Sequence, residues 1–306
     1  MTIPSPDTQT IVRRAWQAKT VVPAFNIPYL PMMEPVVRAL RDTRSFGLIA
    51  VARLEWMKFQ SGSLAAVQTE YARVGDARHT RLHLDHVPVI DEDNLRVDYV
   101  PVFREALALG YASVMLDGSR LPLDENIAAT RRVVDMAHAA GVAVEGELGA
   151  VLGHEAGPLP PYEELFASGR GFTDPDEAAR FGRGTGVDWL SVAIGNIHGA
   201  ISGAARGRQK VQARLNLEHL RRIREQTGVP LVLHGGSGIR KSDVQAAIRE
   251  GIAKINVGTA IRQPYEQSMQ DSVARAQEAV YATTTAIIRD ELEIAGNAGS
   301  LVNGEQ

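Results

Sequence analysis

The stretch LVLHGGSGIRKSDVQAAIREGIAKINVGT (residues 231–259) reads as one turn of a repeating strand–helix–strand pattern. Leu231–Gly235 is a short apolar run of the kind buried on both faces of a parallel sheet. KSDVQAAIREG follows with helical spacing, Ser242 and Asp243 being natural helix starters and Gly251 a natural stop. Lys254–Thr259 is the next β-branched run. Working outward, the same unit recurs. Val21–Ile27, Gly47–Leu54, Thr80–Val87, Tyr111–Asp117, Ala143–Gly149 and Trp189–Gly195 complete eight strand-like runs. Helical segments such as MEPVVRALRDT, VFREALALG, ENIAATRRVVDMAHAAG and LEHLRRIREQTG lie between them. A last helical stretch runs from about Pro264 to Ile294 and is read as the longest.

Eight alternations in 306 residues match the count and size of an α/β fold of the (β/α)8 TIM-barrel type. A doubly wound open sheet would alternate in the same way, and spacing alone does not separate the two. No linker or shift in composition divides the chain, so residues 1–306 read as a single domain. Leu159–Thr173 reads as a long active-site loop within it.

Composition narrows the function. Lys plus Arg number 33 against 36 for Asp plus Glu, and this lack of a basic excess speaks against nucleic-acid binding. No run of 18 apolar residues is present, so no membrane span is expected, and the N-terminus lacks the apolar segment of a signal peptide. There is no cysteine, which excludes disulfides, thiolate nucleophiles and cysteine-based metal sites. A reducing cytoplasm is the expected location.

The polar residues within the apolar runs fall late in each strand, at the end where a barrel of this type carries its chemistry. His83, Asp85 and His86 close the third run, Asp117 the fourth, and Glu145 and Glu147 share one face of the fifth. His198 follows the sixth, His234 ends the seventh and Asn256 lies in the eighth. One late-strand histidine is more often an ordinary core or loop residue. Three on a common rim (His86, His198, His234) form a candidate zinc site, since catalytic zinc takes three protein ligands and keeps a position open. The remaining histidines offer less: His138 and His219 sit in helical stretches, His79 precedes its strand, His83 lies below Asp85, and His154 is in a loop. The glycine-rich turns GNIHGAISG, HGGSG and NVGT follow the last three runs. Any one could simply be a tight turn. Together, each carrying Ser, Thr or Asn, they suggest a phosphate nest, the usual role of the loops after barrel strands seven and eight.

At these residues the sequence resembles the class II, zinc-dependent fructose- and tagatose-bisphosphate aldolases. The matching stretches are HLDH (83–86), GYASVMLDGSRLPLDENI (110–127), VEGELG (144–149), FTDPDEAARF (172–181), VAIGNIHG (192–199), LHGGSGI (233–239) and GIAKINVGT (251–259). FNI near Ala24 and AGNAG near the C-terminus match as well. The resemblance implies one zinc ion on His86, His198 and His234. It implies that Asp85 carries the proton of the C4 hydroxyl and Glu155 that of C3. A triose phosphate group would be held by Gly199, Gly235, Ser237, Asn256 and Thr259, with a monovalent cation near it in some members. The implied reaction is reversible cleavage of a phosphorylated ketose to dihydroxyacetone phosphate and an aldehyde. The implied assembly is a homodimer or homotetramer.

The departures from the family surround the substrate. Ser202 stands where a lysine is usual, followed by an insert containing Arg206, Arg208 and Lys210. Ala260 replaces an acid, Arg120 a histidine and Ala156 an acid. Strand two ends in Arg53-Leu-Glu55-Trp56 where small polar residues are usual, and IDEDNLRVD (90–98) reads as an insertion. These changes leave room for a ketose with a different or unphosphorylated distal end, or for a non-catalytic sugar-phosphate sensor. The intact proton carriers argue against the sensor. Of the five lysines, only Lys254 lies in a strand. It is expected at the strand's start, facing away from the site, which argues against Schiff-base chemistry.

Overall fold

A computed structural model describes residues 5–149, 161–196, 213–236 and 238–304. Eight parallel strands close into a barrel in simple sequential order, the eighth pairing with the first. They are β1 (Val22–Asn26), β2 (Gly47–Ala52), β3 (Thr80–Pro88), β4 (Ser113–Asp117), β5 (Ala143–Leu148), β6 (Trp189–Val192), β7 (Leu231–Leu233) and β8 (Ile252–Val257). Closure settles the choice the spacing left open. In an open sheet the first and last strands would not pair; here Val22, Pro23, Ala24 and Phe25 align with Lys254 to Val257.

The helices are α1 (Thr8–Gln17), α2 (Met33–Asp42), α3 (Arg53–Lys58), α4 (Leu64–Val74), α5 (Tyr99–Ala108) and α6 (Leu123–Ala139). They continue with α7 (Tyr162–Ser168), α8 (Pro175–Thr185), α9 (Leu217–Thr227), α10 (Lys241–Arg249), α11 (Thr259–Ser268) and α12 (Val273–Ala286). Every strand differs from its expected bounds by a few residues at one end or both, and two of the differences share a cause. Arg53 and Leu54 belong to α3 rather than β2, and Thr259 opens α11 rather than closing β8. In each case the chain turns into a helix as soon as it leaves the barrel rim. The expected single long C-terminal helix is two helices, broken at Met269–Ser272, where Ser272 caps α12 by accepting from the Arg275 amide.

Strand alternation sorts the side chains. Phe25, Ile49, Val51, Leu82, Leu84, Val114, Leu116, Val144, Leu190, Val192 and Leu233 point outward into the core shared with the helices. Gly146 sits on that face, and a Cβ there would lie 2.8 Å from the Phe181 ring, so α8 packs directly on the β5 backbone. Facing inward, the lower barrel is apolar: Val22, Ala24, Leu48, Ala50, Ala143, Trp189 and Val232 join Ile11, Val12 and Ala15 of α1 and Leu301 near the C-terminus. Arg14 fastens this floor by donating to the Leu301 carbonyl at 2.8 Å. The upper barrel is where the buried polar side chains collect.

Candidate active site

Asp85 and His86 are consecutive, so strict alternation would aim them to opposite faces. The structure brings both to the site through a bulge. Leu84 pairs with Val114 but Val87 pairs with Leu116, so β3 has one more residue than β4 over that interval, and His86 takes a φ of +33°. Such a bulge re-aims a side chain beside an active site. The sequence reading placed His86 at the site without a structural reason; the bulge supplies one.

His86 Nε2 lies 2.6 Å from His234 Nδ1, and the rings meet edge to face with centroids 4.5 Å apart. His234 Nε2 lies 2.8 Å from Glu145 Oε1. Burial, the largest influence on His86, favours its neutral form, but the carboxylates of Asp85, Asp117 and Glu147 outweigh it and raise its pKa to about 10. Burial and the neighbouring His86 charge push His234 down to about 4. Glu145 is pushed down to about 2; burial opposes this, but Lys254 and His234 prevail. A neutral His234 facing an ionised Glu145 must donate through Nε2, which leaves its Nδ1 lone pair towards His86.

Asp85 is 1% exposed. Burial would raise its pKa, yet His86, His83 and Lys254 together hold it well below the carboxylate range. Asn26 Nδ2 donates to Asp85 Oδ2 at 2.9 Å, and Asn256 Nδ2 to Oδ1 at 2.9 Å and Oδ2 at 3.0 Å. His83, fully buried, bonds Ser113 Oγ through Nδ1 at 2.9 Å and turns Nε2 towards Asp85 at 3.6 Å. On the opposite side of His86, Asp117 Oδ2 and Glu147 Oε2 both lie 3.7 Å from its Nδ1. Glu147 is raised well above its usual pKa by burial and by Asp117.

Two donor groups thus share His86: Asp85, His86 and His234, and His86, Asp117 and Glu147, each with ligand atoms within 4.8 Å of one another. Imidazole nitrogens and carboxylate oxygens are the ordinary donors for zinc. Glu147 Oε2 is also buried without a hydrogen-bond partner among the described residues, as suits a position that a cation would satisfy. The described residues therefore fit a divalent ion.

The third expected ligand, His198, lies outside the described residues, as do Glu155, Gly199 and Ser237. Gly235 follows β7 with φ +64°, and Thr259 opens α11. Asn256, expected among the phosphate contacts, has its side chain between Asp85 and Lys254. The expectation for Lys254 is overturned. It is the third residue of β8, its side chain is fully buried inside the barrel, and its Nζ lies 2.8 Å from Glu145 Oε2. Lys254 and Asn256 are two apart and so share a face, which the sequence already implied. An ammonium held by a carboxylate is a poor nucleophile, so this lysine still offers no Schiff base.

The departures at the rim form one assembly. Ile90 and Arg96 pair across the inserted segment, and Asp91 Oδ1 accepts from the Asp93 and Leu95 amides at 3.1 and 2.9 Å. Arg53 lies 3.5 Å from Asp91 Oδ2, and Arg120 Nη1 donates to the Asp91 carbonyl at 2.6 Å. Glu55, in the first turn of α3, accepts from the Ala52 amide at 2.8 Å. Burial, aided by nearby Asp85, pushes its pKa up to about 8. The sequence singled out Glu55 only as a departure; its burial beside Asn26 and Asp85 comes from the turn of α3 over the rim.

The family model described as "Fructose-bisphosphate aldolase class-II" matches residues 6–299. A fructose-bisphosphate aldolase of Geobacillus stearothermophilus is 30% identical over 268 residues, covering 87% of this chain and 84% of the relative. Among solved structures, the YdjI aldolase of Escherichia coli K12 superposes with a TM-score of 0.75 at 26% identity, over 95% of this chain and 98% of that one.

Proposed function

The chain belongs to the class II fructose-bisphosphate aldolase family, and on that premise we propose that it cleaves a phosphorylated ketose reversibly to dihydroxyacetone phosphate and an aldehyde, using one zinc ion per subunit. The enzyme is thus an aldolase, a carbon–carbon lyase. The observation that carries the finer reading is an ionised, buried Asp85 clamped by two amides beside the paired imidazoles of His86 and His234.

In this reading His86, His234 and His198 hold the ion, which when bound supplies a Lewis acid for the C2 carbonyl end of the ketose. Asp85 takes the proton from the C4 hydroxyl as the C3–C4 bond breaks. Asn26 and Asn256 keep both its oxygens aimed and leave lone pairs for that proton. Glu155 handles the proton at C3. Gly199, Gly235, Ser237, Asn256 and Thr259 hold the triose phosphate, helped by the amide groups at the N-terminus of α11. A monovalent cation near that phosphate, a homodimer or homotetramer, and a cytoplasmic location remain part of the proposal. Among the described residues, no helix is long and apolar enough to cross a membrane.

A second reading concerns the distal end of the substrate. Arg53 is paired with the Asp91 carboxylate of the inserted segment and Arg120 donates to the Asp91 carbonyl, so both guanidinium groups are held by the protein's own rim. That favours a ketose whose distal end is not a phosphate. A panel of ketose phosphates and bisphosphates separates the two, the bisphosphates being cleaved best under the first reading and worst under the second. The metal reading is tested by prolonged chelation, which should abolish cleavage, and by zinc, which should restore it. Cleavage that survives chelation would overturn it.

A further inference from the structure

We infer that Lys254 is a positioning residue that sets, from below, the polarity of two separate arms of the active site, one ending on His234 and the other on Asp85. The inference rests on the zinc-aldolase reading for what those arms do, and on geometry for their existence.

Lys254 is fully buried in the barrel interior, and its ammonium meets two acceptors, Glu145 Oε2 at 2.8 Å and Asn256 Oδ1 at 2.6 Å. A lysine ammonium can only donate. Whatever atom of Asn256 faces it must therefore be the oxygen, and the amide nitrogen is forced to the other side, where it donates to both oxygens of Asp85. Were the amide reversed, its oxygen would face a carboxylate and its nitrogen an ammonium, two repulsive contacts in a buried site. Lys254 thus decides that Asp85 receives a donor.

The other arm follows the same logic. Glu145 spends Oε2 on Lys254 and on Trp189 Nε1, the latter at 2.7 Å, and is left with Oε1 for His234 Nε2. Lys254 Nζ and Trp189 Nε1 can only donate, so the Glu145 carboxylate is held as an acceptor. His234 must then carry its proton on Nε2 and present Nδ1 as a lone pair, the form in which an imidazole binds a metal. One cation thus makes the base accept hydrogen bonds and makes the histidine a ligand. No other lysine or arginine among the described residues bonds Glu145 or Asn256.

The first test is the tautomer of His234 in metal-free protein labelled with 15N-histidine. A single Nε2–H form is expected, with a mixture in Lys254→Met. The second is zinc affinity, read by competition with a chromogenic chelator, on variants whose fold is checked by circular dichroism. Lys254→Met should bind zinc about 10–100-fold more weakly, and at saturating zinc should still show a lower kcat. Cutting the arms separately gives the decisive pattern, and holds even if Lys254→Met does not fold. Glu145→Gln should lower zinc affinity, whereas Asn256→Leu should leave zinc affinity nearly unchanged and lower kcat. Equal effects of the two on zinc affinity would overturn the inference, as would a folded Lys254→Met with wild-type affinity and tautomer. Wild-type protein that takes up no zinc would count against the metal reading alone, because the tautomer is measured without metal.

Discussion

The lower and upper halves of the barrel interior are built on the same eight strands and are equally buried, yet they are held together differently. Below, Val22, Ala24, Leu48, Ala50, Ala143 and Val232 fill space against α1 and the C-terminal turn around Leu301. Above, the side chains of Asn26, Asp85, Glu145 and His234 are satisfied mainly by polar neighbours on other strands, while Glu147 Oε2 is left without a partner among the described residues. Trp189 stands at the boundary, its ring in the apolar cluster and its Nε1 on Glu145. The lower half depends on volume, so its residues act nearly independently. The upper half depends on partners, because an unpaired polar group at that depth costs several kcal/mol, so its residues act as a unit.

The sharpest way to break this comparison is Asp85→Asn. The side chain keeps its size, but cleavage should fall by about 10²–10⁴-fold, the worth of a general base, while zinc content stays at the wild-type level. Steady-state kinetics and metal analysis check this, and wild-type turnover would remove Asp85 from its role. The opposite pattern is expected from Leu301→Ala in the floor: a loss of about 2–5 kcal/mol in denaturant unfolding, with zinc affinity and kcat unchanged. A change in zinc affinity there would show that the halves are not separable.

Glu55 gives a pH test of the upper half. Its carboxyl keeps its proton up to about pH 8 in the folded protein, against a reference value of 4.5. The native state then binds more protons than the unfolded state across that window, so Glu55 makes stability fall as pH rises from 4.5 towards 8. Glu55→Gln should flatten this slope, read as Tm between pH 5 and 8, and an unchanged slope would mean the carboxyl ionises normally. The smallest effect is expected at the rim. Arg53→Ala breaks a partly exposed pair with Asp91 and should cost less than about 1 kcal/mol, while shifting KM among ketoses with different distal groups.

Much of the fold was legible in the sequence. All eight strands lie where the apolar runs placed them, because a strand buried on both faces must be apolar on its outward face whatever it carries inside. The late-strand position of Asp85, His86, Asp117, Glu145, Glu147, His234 and Asn256 was legible for the same reason. Lys254 was misread because its strand starts two residues earlier, at Ile252, than the run KINVGT suggested. Glu55 was noted as unusual, but nothing in its neighbours could say that it folds back under the rim.

The linear chain by itself determined the period, the number of strand–helix units and the residue types at each strand end, since these follow from local alternation and burial. Only the tertiary structure decided that the sheet closes, that a bulge turns His86 inward beside Asp85, and that Lys254, Glu145 and His234 meet across β8, β5 and β7. Those contacts join residues far apart in sequence, Lys254 and Glu145 being 109 positions apart and the closing pair Val22 and Lys254 232. They exist because closure brings distant strands to one axis, where a buried charge must find its partner.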